Sequence, residues 1–245
     1  MMKARNVPHW LLAKPIAHRG LHDRSGAPEN SLAAFHAAIR VGLPIELDVH
    51  LLADDRPVVF HDHDLLRLTG VTGKIEEQDA QSIRDLRLLQ TEQGIPLFTE
   101  VLREVDGAVP LLIEIKSGHP AVGALERAVL QDLQDYRGAF AVQSFNPMSV
   151  HYFKENAPSV CCGQLSGSNV GVPFARLNQP DFVAYYVDSL TRRRTLRLRR
   201  YGAPLLAWTV SSAAQYKRAK SFADNYIFDT TPDFTLPGLP PRDGQ

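Results

Sequence analysis

Short apolar runs alternate with longer segments of helical periodicity along most of the chain. Eight of these runs have the length and composition of buried β-strands. They are PIAH (15–18), IELDV (45–49), LLIEIK (111–116), FAVQSF (140–145), VCCGQL (160–165), FVAYYV (182–187), LLAWTV (205–210) and YIFD (226–229). Helical patterns such as NSLAAFHAAIRVG, FTEVLREVDG and AAQYKRAKSFA fill most of the gaps. Eight strand–helix steps favour an α/β fold, a (β/α)₈ TIM barrel, over an open sheet.

Three further segments complete the predicted organisation. The run RPVVFHD (56–62) follows the second strand after the short turn ADDR, so we expect an antiparallel hairpin that returns His61 to about the level of Asp48. The polar segment 62–96 is too long for an ordinary connection and predicts a small inserted cap after this hairpin. The proline-rich end, 236–245, predicts a flexible tail. Residues 1–245 are expected to form a single barrel domain.

Composition narrows the class of partner. Hydrophobic residues make up 44% of the chain, and 27 basic residues balance 27 acidic ones. This neutral balance favours a small-molecule partner and no nucleic acid. No run approaches the roughly 20 apolar residues of a transmembrane segment, and none near the start is long enough for a signal peptide, so we expect a cytoplasmic protein.

The oligomeric state has no signal in the sequence. The basic stretch 191–202 is either the solvated face of an outer helix or a contact for an acidic surface.

Charged residues within two of the predicted strands indicate the chemistry. Residues two apart in a strand face the same side, so Glu46 points with Asp48, and Glu114 points with Lys116. Directed into a barrel, three carboxylates require a cation or an ion pair to offset the cost of burial. Oxygen ligands suit Mg²⁺ or Ca²⁺ better than zinc. A buried salt-bridge network around Lys116 is the alternative that spacing alone leaves open.

Two histidines follow apolar strands in the motifs IAHR and VFHD. If the hairpin returns His61 beside Asp48, the imidazoles of His18 and His61 reach the same end of the barrel as the carboxylates. Such a pair can serve as general acid and general base near neutral pH. Arg19 and Lys116 bring positive charge to the same end, and a guanidinium can bind two anionic oxygens at once. This combination is typical of phosphate-ester chemistry.

The order of motifs resembles that of the glycerophosphodiester phosphodiesterases. The matching segments are AHRG, PENSLAAF, IELDVHLLADDRPVVFHD, GVTGKI, IPLFTEVL, LLIEIK, VQSF, AWTV and IFDTTPD, and they span residues 16 to 233. The resemblance implies a TIM-barrel hydrolase that cleaves glycerophosphodiesters, such as glycerophosphocholine or glycerophosphoethanolamine, to glycerol 3-phosphate and an alcohol.

The family pattern assigns roles to the residues that match it. Glu46, Asp48 and Glu114 match the metal ligands for one divalent cation, Mg²⁺ or Ca²⁺, with Mn²⁺ as a further candidate. His18 and His61 match the acid/base pair, with the order of their roles left open. Arg19 and Lys116 match the phosphate contacts. The attacking oxygen is either water or the glycerol hydroxyl of the substrate.

For other residues at this end of the barrel, the sequence is compatible with either a role in the site or a structural role. Gln143 and Phe145 end one strand and Trp208 ends another, where they either line a substrate pocket for a choline-like head group or belong to ordinary barrel packing. Glu29 and Asn30 match the motif PEN and either take part in the site or brace the loop and cap the following helix.

Three other activities compete with glycerophosphodiester hydrolysis. Cleavage of lysophospholipids is close in chemistry. A cyclising phospholipase C uses two histidines but usually lacks the metal carboxylates, so Glu46, Asp48 and Glu114 argue against it. A non-catalytic barrel that binds phosphate esters is the remaining alternative.

Overall fold

The computed structural model describes residues 7–23, 26–118, 122–167 and 178–239, and the statements below concern these residues. Strands occur at all eight predicted barrel positions, with ends that differ from the predicted ends by at most two residues, and a shorter strand than predicted occurs at the hairpin position. They are β1 (Ile16–Ala17), β2 (Ile45–Leu51), β3 (Pro57–Val59), β4 (Leu111–Ile115), β5 (Phe140–Ser144), β6 (Cys162–Ser166), β7 (Phe182–Tyr186), β8 (Leu205–Val210) and β9 (Asn225–Phe228).

The strands close into a parallel barrel. Their order is β1-β9-β8-β7-β6-β5-β4-β2, and pairing of β1 with β2 completes the circle. The structure therefore has the (β/α)₈ TIM-barrel architecture that the sequence predicts. Strand β3 lies outside the circle and pairs antiparallel with the end of β2, with Val49 opposite Val59. Phe60 donates its backbone N–H to the carbonyl of Asp48 at 3.1 Å, which confirms the predicted hairpin and brings His61 next to the barrel.

The alternation of side chains along the strands separates two apolar layers. Ile45, Leu47 and Val49 face outward into the large core between the strands and the helices. Leu112, Phe182 and Leu206 belong to a second cluster, which also contains Leu11 of the amino-terminal helix. Burying each such side chain contributes about 1.5–3 kcal/mol. Because the odd positions of β2 face the helices, Glu46 and Asp48 face the barrel interior.

Helices lie between most of the strands. They are α1 (Trp10–Ala13), α2 (Leu32–Arg40), α3 (Leu66–Thr69), α4 (Phe98–Val105), α5 (Ala124–Asp132), α6 (Pro147–Asn156), α7 (Arg192–Arg199) and α8 (Ala213–Phe222). Ser31, Asn146, Thr191 and Ser212 cap the amino ends of α2, α6, α7 and α8 through their side chains. Helix α7 buries Thr195 and Leu198 and exposes most of its arginines, as expected for an outer helix. None of the helices described here has the length and apolarity to cross a membrane.

The segment 62–96 has an apolar cluster of its own. It contains α3 and two short 3₁₀ turns, Ile75–Glu77 and Leu88–Gln90. Leu65, Leu68 and Ile75 pack there with Val58 and Phe60 of the hairpin. This packing attaches the segment to the hairpin, and its action as a cap remains a prediction. In the predicted tail, Leu236 is buried against the large core, whereas residues 240–245 lie outside the described ranges.

Candidate active site

Three carboxylates meet inside the carboxyl end of the barrel. Glu46 and Asp48 come from β2 and Glu114 from β4, and the strand register places Asp48 directly beside Glu114. All three side chains are buried, and one oxygen from each can be chosen so that all lie within 4.8 Å of one another. The neighbouring strand β5 contributes Gln143 opposite Glu114, and its Nε2 lies 3.4 Å from Glu46. The predicted carboxylates therefore share one small volume.

The three carboxylates differ in the basic and amide groups that contact them. The ammonium of Lys116 lies 2.9 Å from Asp48 Oδ1 and 2.8 Å from Glu114 Oε1. Asp48 also accepts a hydrogen bond from Asn30 Nδ2 at 2.9 Å, and the Nε of Arg19 lies 3.3 Å from its second oxygen. Glu46 accepts from the backbone N–H of Arg19 at 3.2 Å and from Gln143. Asp48 thus lies within 3.3 Å of two cationic side chains, whereas Glu46 accepts its hydrogen bonds from a backbone N–H and an amide.

The pKa values of the three carboxyl groups follow this difference. Burial alone would raise the pKa of Asp48, but Lys116 and Arg19 hold it well below its usual range. Burial raises the pKa of Glu46 far above its usual value, and the charges of Asp48 and Glu114 raise it further. Burial also raises the pKa of Glu114 to about 7, against the opposing effect of Lys116. Lys116 and Arg19 therefore stabilise the ionised form of Asp48, whereas the ionised forms of Glu46 and Glu114 are disfavoured.

His18 follows β1 and is oriented by a carboxylate. Its Nδ1 lies 2.8 Å from Asp229 Oδ1, and its Nε2 lies 4.0 Å from Glu46 Oε2. Asp229 comes directly after β9, the strand that pairs with β1, and it also accepts from His22 Nε2 at 3.1 Å. Burial alone would raise the pKa of Asp229, but the two imidazoles hold it far below its usual range. With Nδ1 bonded to Asp229, His18 keeps Nε2 for proton transfer.

His61 has the same kind of partner. Its Nδ1 lies 2.6 Å from Oδ1 of the adjacent Asp62, whose other oxygen accepts from Arg67 Nε at 2.5 Å. Burial lowers the pKa of His61, and the charges of Arg19 and Lys116 lower it further against the opposing effect of Asp48. A lowered pKa keeps the imidazole neutral at physiological pH, the state in which it can accept a proton.

Arg67 and Glu29 connect His61 to the carboxylates. Both terminal nitrogens of Arg67 bind Glu29, each at 2.8 Å, and Glu29 Oε1 also accepts from Arg19 at 2.5 Å. An alternating series of charges therefore runs from Asp62 to Asp48. The network contains five carboxyl groups and three basic side chains. The carboxylates are Glu29, Glu46, Asp48, Asp62 and Glu114, and the basic side chains are Arg19, Arg67 and Lys116.

Aromatic side chains form one wall of the cleft. Phe145 and Trp208 pack edge to face with ring centroids 5.4 Å apart, and Tyr186 packs against the other side of Trp208 at the same distance. Phe145 is 44% exposed. The cleft has a volume of about 80 Å³ and is lined by both histidines, Arg19, Lys116, two of the carboxylates and Gln143. Gln143, Phe145 and Trp208 therefore lie at the same cleft as the charged groups.

Glu29 and Asn30 contact the site through charged partners. Asn30 bonds to Asp48, Glu29 binds both arginines, and the helix cap comes from Ser31, which accepts from the backbone of Ala34. Gly20, directly after Arg19, lies against helix α2. Its φ is +82°, and a Cβ there would lie 2.8 Å from the backbone of Ala34. Gly20 is therefore required by the close approach of α2.

Four residues that contact the predicted site residues were not predicted from the sequence. They are His22, Asp62, Arg67 and Asp229, which bind the two histidines or link them to the rest of the site. Asp62 has a visible signal because it directly follows His61. Asp229 occupies the strand-end position of β9 that corresponds to His18 on the neighbouring strand. Arg67 has no such signal, because the fold of segment 62–96 determines where its side chain lies.

Comparison with known proteins gives consistent matches along the chain. A sequence model described as the Glycerophosphoryl diester phosphodiesterase family matches residues 18–229. The protein YhdW of Bacillus subtilis (strain 168) is 32% identical over 238 residues, which cover 90% of this chain and 96% of that protein. A glycerophosphodiester phosphodiesterase of Caldanaerobacter subterraneus subsp. tengcongensis is 29% identical over 228 residues, with coverage of 87% and 93%.

A solved structure matches the fold. It is a phosphodiesterase of Oleispira antarctica in complex with its product sn-glycerol 3-phosphate, with a TM-score of 0.80 and 23% sequence identity. The match covers 89% of this chain and 93% of that one. At this level of identity the likeness concerns the barrel fold.

Proposed function

The chain belongs to the glycerophosphoryl diester phosphodiesterase family, and we propose that it hydrolyses glycerophosphodiesters such as glycerophosphocholine or glycerophosphoethanolamine to glycerol 3-phosphate and an alcohol, with one divalent cation. Its membership establishes the general activity, glycerophosphodiester phosphodiesterase. The substrates, the metal and the mechanism are our proposal.

The proposal rests on one observation: two imidazoles, each hydrogen-bonded to a carboxylate, line the same cleft as the buried carboxylates. His18 and His61 come from different strands, yet both line one cleft with Glu46 and Glu114. Each imidazole has its Nδ1 bonded to a carboxylate, which leaves Nε2 for proton transfer. Phosphodiester cleavage needs one group to accept a proton and another to donate one.

The residues fit a divalent cation. Glu46, Asp48 and Glu114 offer three carboxylate oxygens within 4.8 Å of one another, and hard oxygen donors suit Mg²⁺ or Ca²⁺, with Mn²⁺ as a further candidate. Burial raises the pKa values of Glu46 and Glu114, and a cation at these oxygens would favour their ionised forms. When bound, the ion supplies positive charge for the phosphoryl oxygens and lowers the pKa of the attacking oxygen. The alternative of a salt-bridge network around Lys116 accounts for Asp48 and Glu114, which its ammonium contacts, but does not account for the burial of Glu46.

The side chains of the chain itself perform the proton transfers. One of the two histidines accepts the proton of the nucleophile, which is water or the glycerol hydroxyl of the substrate. The other histidine donates a proton to the leaving alkoxide. Asp229 and Asp62 hold the two imidazoles in the required tautomer. In this scheme Asp229 and Asp62 act as positioning residues.

The remaining groups of the cleft bind the substrate. Arg19 and Lys116 contact phosphate oxygens, with Glu29 and Asn30 holding Arg19 and Asp48 in place. Gln143 lies beside Glu46 and Glu114 at the base of the cleft. Phe145 and Trp208 offer aromatic faces and edges to the alcohol part of the substrate. A quaternary ammonium such as choline is attracted to aromatic faces, which is why glycerophosphocholine is a preferred candidate.

A coupled assay for glycerol 3-phosphate tests the proposal. The protein is supplied with Mg²⁺ and Ca²⁺ and offered glycerophosphocholine, glycerophosphoethanolamine and lysophosphatidylcholine. We expect glycerol 3-phosphate from the first two and a loss of turnover of at least about 100-fold in His18→Ala and His61→Ala. The exposed His36, which pairs with Glu104, provides the matched control His36→Ala with unchanged activity.

Three outcomes would overturn the proposal. Full activity in either active-site variant would exclude its histidine from proton transfer. Turnover of lysophosphatidylcholine, measured as the release of choline, in preference to both water-soluble diesters would point to a lysophospholipid-cleaving phosphodiesterase. Calorimetric binding of the diesters with metal present but without turnover would indicate a phosphate-ester binding barrel.

A further inference from the structure

A second group of ligand-type side chains lies beside the active site, at the end of β2 and in the segment that follows the hairpin. His50 comes from β2, His63 follows the hairpin and Glu76 belongs to the 3₁₀ turn Ile75–Glu77. A short antiparallel ladder aligns them, because Ile75 donates its backbone N–H to the carbonyl of His63 at 2.9 Å and Asp64 bridges Lys74. The fold of the inserted segment thus delivers Glu76 to the two imidazoles.

All three side chains converge on one point. The Nδ1 of His50 lies 2.8 Å from Glu76 Oε1, and the Nδ1 of His63 lies 2.5 Å from the same oxygen. The two imidazole rings meet edge to face with centroids 5.0 Å apart. One ligand atom from each residue lies within 4.8 Å of the others. A single carboxylate oxygen is therefore shared by two imidazole nitrogens.

The hydrogen-bonding state of His50 makes this arrangement informative. Its Nε2 lies 3.1 Å from the backbone carbonyl oxygen of His61, and a carbonyl oxygen can only accept, so Nε2 carries the hydrogen. In a neutral imidazole Nδ1 then presents a lone pair, and here it faces the carboxylate of Glu76, which is also an acceptor. His50 is completely buried, so water cannot separate the two groups. The Nδ1 lone pair of His50 and an oxygen of Glu76 therefore face the same point at 2.8 Å, an arrangement in which a metal ion can bind both.

We propose that His50, His63 and Glu76 form a second metal site, selective for Zn²⁺ or a similar first-row transition ion. Two imidazole nitrogens and one carboxylate oxygen are donors that zinc prefers, whereas Mg²⁺ and Ca²⁺ prefer all-oxygen sets. Zinc lies about 2 Å from such donors, and the three donor atoms are already close enough for small shifts to surround it. The bond from His50 Nε2 to a carbonyl is the outer contact that metal-binding histidines usually make.

The site is open on one side. His63 is 66% exposed and Glu76 is 34% exposed, whereas His50 closes the inner side. An ion can therefore enter from solvent and keep water as a further ligand. Its chemistry differs from that of the three carboxylates at Glu46, which offer no nitrogen donor. Binding at the two sites can therefore be distinguished experimentally by the choice of metal ion.

Zinc titration of the chelator-treated protein tests the proposal. The protein is prepared without a polyhistidine tag, and excess Mg²⁺ is present to occupy the carboxylate site. We expect one Zn²⁺ per chain. His63→Ala should weaken the Kd for Zn²⁺ by at least about 100-fold, because loss of a residue that only supports a metal ligand already weakens binding by about 10- to 100-fold. Glu76→Gln should weaken it in the same way. His36→Ala removes an exposed histidine elsewhere on the surface and should leave the Kd unchanged.

Because His63 is exposed, its replacement removes no buried group, and we expect His63→Ala to fold like the parent protein. Circular dichroism of each metal-free variant verifies that point. An X-ray absorption spectrum at the zinc edge should show two imidazole ligands in the parent protein and one in His63→Ala. An equal Kd in the parent protein and His63→Ala would overturn the proposal. The absence of a bound Zn²⁺ when Mg²⁺ is in excess would overturn it as well.

Discussion

In the mechanism proposed above, Asp229 determines which nitrogen of His18 is available to the substrate. The imidazole bonds to Asp229 through Nδ1 at 2.8 Å, and its Nε2 lies on the side of Glu46. A carboxylate in this position fixes both the tautomer and the ring orientation. It also stabilises the imidazolium that forms during proton transfer. Asp229 therefore acts on the reaction through His18, and its effect should appear in the rate of the chemical step.

Replacing Asp229 with asparagine should lower kcat by at least about 100-fold with little change in KM. An amide can donate a hydrogen to Nδ1 and thereby favour the tautomer with its hydrogen on Nε2. Steady-state kinetics with glycerophosphocholine over a range of pH give kcat, KM and the pH profile. The exposed loop residue Asp55 supplies the control Asp55→Asn. A proportional rise in KM without loss of kcat would place Asp229 in substrate binding.

At the scale of elements, Glu29 links the loop before α2 to the inserted segment. It binds Arg19 on one side and Arg67 on the other. Burial alone would raise the pKa of Glu29, but the hydrogen bonds and charges of Arg67 and Arg19 lower it to about 2. The usual value is 4.5, so the unfolded chain binds this proton more tightly than the folded protein does. Glu29 therefore stabilises the fold fully above about pH 4.5, and this contribution is lost as the pH falls towards 2.

Glu29→Gln should lower the free energy of unfolding at pH 6 by up to about 3 kcal/mol. The difference from the parent protein should shrink as the pH falls from 4.5 towards 2, because both proteins then carry a neutral side chain at this position. Urea unfolding at pH 6, 4.5 and 3.5 measures the difference.

The control for this experiment is Glu77→Gln. Glu77 is 65% exposed and lies 3.7 Å from Lys74, so the substitution should change the stability only slightly. A stability difference for Glu29→Gln that stays constant from pH 6 to 3.5 would show that its carboxylate is not preferentially ionised in the folded protein.

The strands and the hairpin could be predicted because their signals are local. Apolar runs such as FVAYYV mark buried parallel strands, and the four-residue turn ADDR permits only an antiparallel return. Helix α6 also had a local signal, since Asn146 caps it and Pro147 occupies its first turn. The requirement for glycine at position 20 could not be predicted, because it comes from the approach of α2 in three dimensions.

At the scale of the whole molecule, barrel closure brings together groups that are far apart in sequence. His18 and Asp229 are 211 positions apart, and the pairing of β1 with β9 makes them neighbours. The family motifs predicted the histidines and the three carboxylates as site residues without this knowledge. The links between them, Arg67 above all, depend on how segment 62–96 packs on the hairpin, and no pattern in the sequence encodes that position.

The charge of the assembled site leads to the central claim. Glu46, Asp48 and Glu114 are buried together, and Lys116 and Arg19 neutralise them only in part. A divalent cation would satisfy these oxygens and supply positive charge where a phosphodiester binds. The account therefore makes hydrolysis dependent on an ion at these residues.

The most direct test is turnover of glycerophosphocholine by chelator-treated protein before and after metal is returned. Glycerol 3-phosphate release is measured in EDTA, and then in metal-replete buffer with Mg²⁺, Ca²⁺ or Mn²⁺ supplied singly. The account predicts that EDTA abolishes turnover, that at least one of the three ions restores it, and that Glu114→Gln responds to none of them with full activity. Turnover that continues unchanged in EDTA, or full activity of Glu114→Gln, would contradict it.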